Sequence, residues 1–185
     1  MIMTVNEFRR FCPSEESDDM LKARIQAIED LVRAYTNNNF MVRTLRTVAS
    51  ATADHSLLVK DNGSTVPFKS GDTLQITGSD LQQDMLVTVE CVHDGTIFVS
   101  EDLQEEESIV ITKVVYPPAV KMGAVNLLKW DLERREKVGV QSETISRHSV
   151  TYFNMDAGNS TMGFPSSMLG FLKPFKKARF GGGIR

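Results

Sequence analysis

The hydrophobic period of this chain changes twice, and the two changes leave few folds open. Between Ser17 and Tyr35 the apolar residues return every three or four positions. From Met41 to Tyr116 they alternate, and from Val120 the helical spacing resumes. A stretch of alternating period enclosed by helical ones predicts a β unit inserted into a helical one. Pro117-Pro118 marks the return, since proline favours the first turn of a helix and ends a strand ladder.

The helical parts carry their own start and stop signals. Thr4 with Glu7 three positions on has the capping-box spacing and predicts a short helix to Phe11, closed by Pro13. Ser17 caps a longer helix led by Asp18 and Asp19, whose carboxylates suit the positive end. Leu21, Ile25, Ile28, Leu31, Val32 and Tyr35 share one face of it. Asn37-Asn38-Asn39 stops it, because asparagine tolerates the left-handed conformation. A third helix is expected from Val120 to Lys137, with Val120, Ala124, Leu127, Leu128 and Leu132 on an apolar stripe, Trp130 at its edge and Gly139 as cap. Beyond it the residues predict a strand around Ser149–Phe153, a polar loop, and a short helix from Ser166 to Leu172 closed by Pro174.

The inserted part predicts six strands: Val42–Ala51, Ser56–Lys60, Thr73–Thr77, Met85–His93, Thr96–Ser100 and Ser108–Tyr116. Asp61-Asn62-Gly63, Ser70-Gly71-Asp72 and His93-Asp94-Gly95 punctuate them, the last with the two-residue hairpin signature. The fold class expected is α+β: a small α-helical bundle, residues 1–40 and 117–172, with an inserted five- or six-stranded antiparallel β-barrel or sandwich, residues 41–116, and a basic C-terminal arm, residues 173–185.

Charge separates these parts. Residues 41–116 hold five basic and twelve acidic side chains, whereas residues 173–185 hold five basic ones and no acid. The first would repel a polyanion and the last would favour an acidic surface or phosphates. Apolar runs fall far short of the roughly 20 residues that cross a bilayer, and the first residues do not have the layout of a secretory signal, so no membrane partner is expected. Cys12 and Cys91 match no redox or metal spacing and are expected to be buried free thiols.

Chemistry is hard to find. Gly158 and Gly163 have the spacing of the P-loop glycines, but Phe164 and Pro165 stand where the lysine and hydroxyl should be. His55, His93 and His148 fit no zinc pattern. Cys91 and His93 would share a strand face as a thiol and its base might, yet they continue the core positions Val87 and Val89. Glu105-Glu106-Glu107 is contiguous and reads as a solvated turn. No catalytic set, metal site or cofactor is expected, and the expected role is structural.

The order of these features resembles the head–tail connector, or adaptor, proteins of tailed bacteriophages. The resemblance rests on the Asp18-Asp19-led helix ending in an asparagine turn, the Pro117-Pro118-led helix, the Gly139–Tyr152 run and the segment Lys173-Pro174-Phe175-Lys176-Lys177-Ala178-Arg179-Phe180. It covers residues 1–40 and 117–180 and departs from the smaller family members at 41–116. It implies a subunit of a ring, usually of twelve copies, seated under the portal protein in the neck of the virion. Such a ring extends the DNA channel, lets packaged DNA pass without sequence-specific contact, and supports the next connector or tail-completion protein.

The resemblance also implies that Lys173, Phe175, Lys176, Lys177, Arg179 and Phe180 form a portal-docking arm. Leu21, Ile25, Ile28, Leu31, Tyr35, Leu127, Leu128, Trp130 and Tyr152 would supply the helical core or subunit interface. An acidic barrel about 20–25 Å across fits the outer rim of such a ring better than its channel. A second reading, a nucleic-acid-binding module built on the barrel and the basic tail, follows from the lysines interleaved with Phe175 and Phe180.

Overall fold

The computed structural model describes residues 1–60, 68–134, 142–145, 148–151 and 160–178. It divides into two compact units. One joins Met1 to Asn39–Tyr116, and the other joins Ile2–Asn38 to Pro117–Arg185.

The first unit is a closed barrel of six strands: β1 (Met41–Thr52), β2 (Ser56–Val59), β3 (Thr73–Thr77), β4 (Leu86–His93), β5 (Thr96–Val99) and β6 (Glu106–Val114). Every pairing is antiparallel, and the order around the barrel is β1-β2-β5-β4-β3-β6, with β6 closing on β1. Closure leaves no unpaired sheet edge. Alternation puts Leu74 and Ile76, Val87 and Val89, Ile97 and Val99, and Ile109 and Ile111 inside. Ala49 and Ala51 keep the β1 side of that small interior narrow.

The β4–β5 hairpin turns through Asp94 and Gly95, at φ of 47° and 79°, the two left-handed positions that an Asp-Gly pair predicts. One strand departs from the simple alternation. Between the pairs Val89↔Val99 and Cys91↔Phe98, two steps on β4 match one on β5, which is a β-bulge. The extra residue turns Glu90 and Cys91 out and sends Val92 back toward the core. Cys91 is therefore exposed and not buried as expected, and Cys12 is half-buried.

Glu106 is no solvated turn residue either. It opens β6 and closes one end of the barrel by accepting hydrogen bonds from the Ser79 hydroxyl at 2.5 Å and the Asp80 N–H at 2.8 Å. The Ser79 hydroxyl first, and that backbone N–H with it, hold the carboxyl below the usual carboxylate range. A lowered folded pKa supplies stability that is complete above the unfolded value, about 4.3, and is lost as pH falls through the folded value. Denaturant midpoints measured from pH 7 to pH 3 should fall less steeply for Glu106→Gln than for the parent below about pH 4.5. Parallel acid limbs would refute this role.

The second unit contains α1 (Val5–Phe11), α2 (Asp18–Thr36), α3 (Pro118–Arg134), a 3-10 helix (Ser166–Phe175) and two small hairpins, β7–β8 (Ser142–Ile145 with His148–Thr151) and β9–β10 (Ser160–Thr161 with Phe164–Pro165). Thr4 and Glu7 complete the capping box, and the Ser17 hydroxyl accepts from the Met20 N–H. Leu21, Ile25, Ile28, Leu31, Leu127 and Leu128 are all buried.

These elements do not make the expected helical bundle. The chain is a mixed α/β fold with a closed barrel, and among the described residues only α2 and α3, of 19 and 17 residues, have bundle length. α1 has seven residues, and the fourth helix is a 3-10 segment running through Gly170 and Pro174, whose composition opposes a long α-helix. Pro174 sits inside that segment and does not end it.

Candidate docking site

The best-defined polar construction among the described residues of the second unit joins the end of α2 to the start of the basic segment. Asn37 follows the helix at φ 49° and ψ 39°, the left-handed conformation that terminates an α-helix. With Asn37 so placed, its N–H reaches the Ala34 carbonyl and the Asn38 N–H the Arg33 carbonyl. Both asparagine side chains are then free to face the other way. Asn38 Nδ2 donates to the Phe175 carbonyl and Asn37 Nδ2 to the Ala178 carbonyl, each at 3.2 Å. Between them the Lys177 N–H donates to the Thr36 carbonyl at 2.8 Å, satisfying one of the acceptors a helix leaves open at its end.

The ammonium of Lys176 lies 3.8 Å from the centre of the Tyr35 ring, a cation–π contact at the negative end of the helix. Residues 175–178 are thus held on α2 by three hydrogen bonds and one ring contact, and Lys173, Lys176 and Lys177 remain exposed. Phe175 is half-buried, and Leu169 and Leu172 anchor the 3-10 helix that leads into the segment. Arg179 and Phe180 of the expected arm, and Tyr152 of the expected interface, lie outside the described residues. So does the expected cap Gly139.

Tyr35 and Trp130 are half-buried. Trp130 packs against Phe164 with ring centres 5.3 Å apart at 52°. Phe164 and Pro165 form β10, and Met162 and Gly163, at φ 53° and 80°, make the tight turn before it. The second glycine of the P-loop-like spacing is therefore a hairpin turn residue. Among the described residues no group of three or more His, Cys, Asp or Glu side chains could hold a metal ion. Nor is any helix among them long and apolar enough to cross a membrane.

Two constructions were not read from the sequence. Asn37 and Asn38 carried a helix-stop signal, and nothing in it pointed to their amides as arm anchors. Arg24 and Asp131 are the second case. Arg24 donates through Nε and Nη2 to both oxygens of Glu16, at 3.0 and 3.1 Å, and through Nη1 to Asp131 at 2.5 Å. Burial pushes the guanidinium down, but the hydrogen bonds and charges of Glu16 and Asp131 outweigh it and hold Arg24 above its ordinary value.

No protein-family model matches this chain, and no curated protein matches it.

Proposed function

We propose that this chain is a structural subunit of the virion neck, a head–tail connector that assembles as a ring on a portal protein and docks through its basic C-terminal segment. The observation that carries the reading is the anchoring of residues 175–178 on the end of α2. A solvated tail has no use for three hydrogen bonds at its root. A docking arm does, because a root already ordered lowers the entropy lost when the rest of it binds. The exposed ammonium groups of Lys173, Lys176 and Lys177 suit an acidic partner surface. The acidic barrel suits the outer rim of such a ring, where it does not grip packaged DNA.

Light scattering on the chain mixed with the portal protein of the same phage tests this. A complex many times the mass of one chain is expected. The double charge reversal Lys173→Glu with Lys177→Glu should weaken it at least tenfold, since both side chains are exposed and the fold does not depend on them. A chain that stays monomeric beside portal, yet binds duplex DNA with a steep salt dependence, would overturn the reading in favour of the nucleic-acid module.

A further inference from the structure

The buried face of α2 runs through Leu21, Ile25 and Val32, and its edge at Ile28 and Leu31, with Met20, Ala23 and Ala27 beside it, lines an open groove of about 500 Å³. Met162 and Phe164 complete its apolar wall, and Met20 and Met162 are both 51% exposed. The paired Arg24 and Asp131 close one side. Thioethers over small alanines make a surface that adapts to an inserted apolar side chain.

The same unit carries a side chain that fits the description. Phe11, at the end of α1, is 60% exposed, the highest value for a large apolar residue among those described, and it does not line the groove. Its neighbour Arg10 is exposed. The groove's other border is acidic: Asp19 lies one turn from Ala23, and Asp30 three residues from Ala27, both exposed. A basic-flanked aromatic knob thus faces an acid-edged apolar groove elsewhere on the same molecule. A knob on one copy seated in the groove of the next is a head-to-tail contact, which repeats around a ring where the rotation between copies closes.

We infer that the α2 groove receives Phe11 of a neighbouring copy, making this contact the repeating interface of the ring. The inference rests on the connector reading and gives it a specific contact. To test it, two chains are made that keep Phe11 and carry Cys91→Ser: one retains the natural, half-buried Cys12 beside the ring, and the other carries Cys12→Ser with Ala27→Cys. The two are mixed under the conditions in which the parent assembles, and treated with a short bismaleimide.

Covalent dimers between the two variants are expected, with a ladder of higher multimers when one chain carries Cys12 and Ala27→Cys together. Phe11→Ser and Ala27→Glu should each weaken self-association about tenfold or more with an unchanged circular dichroism spectrum, because both positions are exposed. Rings that form without these links overturn the inference and leave the connector reading standing. Links from position 27 only to portal overturn it too, giving the groove to portal. No multimer of any kind, alone or with portal, overturns both.

Discussion

Gly123→Ala should destabilise the helical unit by about 2 kcal/mol, the cost of forcing volume into a filled site. Helix propensity alone predicts the opposite sign, a gain of about 1 kcal/mol for replacing a glycine inside a helix. The structure decides between them. Gly123 is in the middle of α3, and a Cβ there would overlap the ring of Phe171, at Cε2, Cζ and Cδ2 together. Phe171 belongs to the 3-10 helix, so the missing side chain is what lets that segment lie against the backbone of α3. The ring would have to swing away and give up its packing.

The chain has one tryptophan, Trp130 on α3, and its fluorescence reports the unfolding of this unit. The measurement is a urea midpoint for the parent, Gly123→Ala, Phe171→Ala and the double variant. In the Phe171→Ala background the effect of Gly123→Ala should reverse sign and become stabilising. A stabilising effect in the parent background would show that propensity dominates and that the contact is soft.

The strands of the barrel were legible because their information is local, whereas closure into a barrel and not a sandwich was left open. Alternation in Leu74–Ile76, Ile97–Val99 and Ile109–Ile111, with Asp94-Gly95 in a two-residue turn, needs no knowledge of distant partners. The ends of α1 and α2 were legible for the same reason, since Thr4, Glu7, Ser17 and Asn37 act on backbone groups within four residues.

What alternation could not reveal was the bulge at Cys91. A bulge is a property of the pairing with β5, and the run Val87, Val89, Cys91 is as regular in sequence as an unbroken strand. The helical bundle failed for a related reason. Apolar spacing of 3.6 identifies a helix without saying how many others of similar length exist to pack on it. After Arg134 the described elements are short hairpins and 3-10 turns, set by Met162-Gly163, Gly170 and Pro174. The arm anchor was hidden because its two halves, Asn37-Asn38 and Phe175–Ala178, lie some 140 positions apart.

Arg24 shows the same limit with the second large effect. On a helical wheel it falls among the apolar positions, three after Leu21 and four before Ile28, but the wheel names no partner for it: it joins two carboxylates, one of them 107 positions away and 7% exposed. Arg24→Met keeps most of the apolar stem but leaves Asp131 without its guanidinium. Removing one member of a buried pair costs about 3–5 kcal/mol. Because Arg24 itself is 29% exposed, solvent screening reduces the expected loss to about 2–3 kcal/mol.

Arg24→Lys should recover only part of this, since an ammonium cannot reproduce the fork that meets Glu16 with two nitrogens and Asp131 with a third. The decisive comparison is Arg24→Met with Asp131→Leu. If the loss comes from the carboxylate that has lost the guanidinium, the double variant should regain most of the stability, because apolar groups of similar volume replace an ion pair at little cost. If it stays as unstable as Arg24→Met, the bond to Glu16 at the start of α2 carries the effect. The double variant also changes one side of the α2 groove from a charged pair to an apolar wall while sparing Phe11 and Ala27. Self-association should then persist in a chain whose stability has been separately restored, which distinguishes a wall that only supports the groove from residues that grip its occupant.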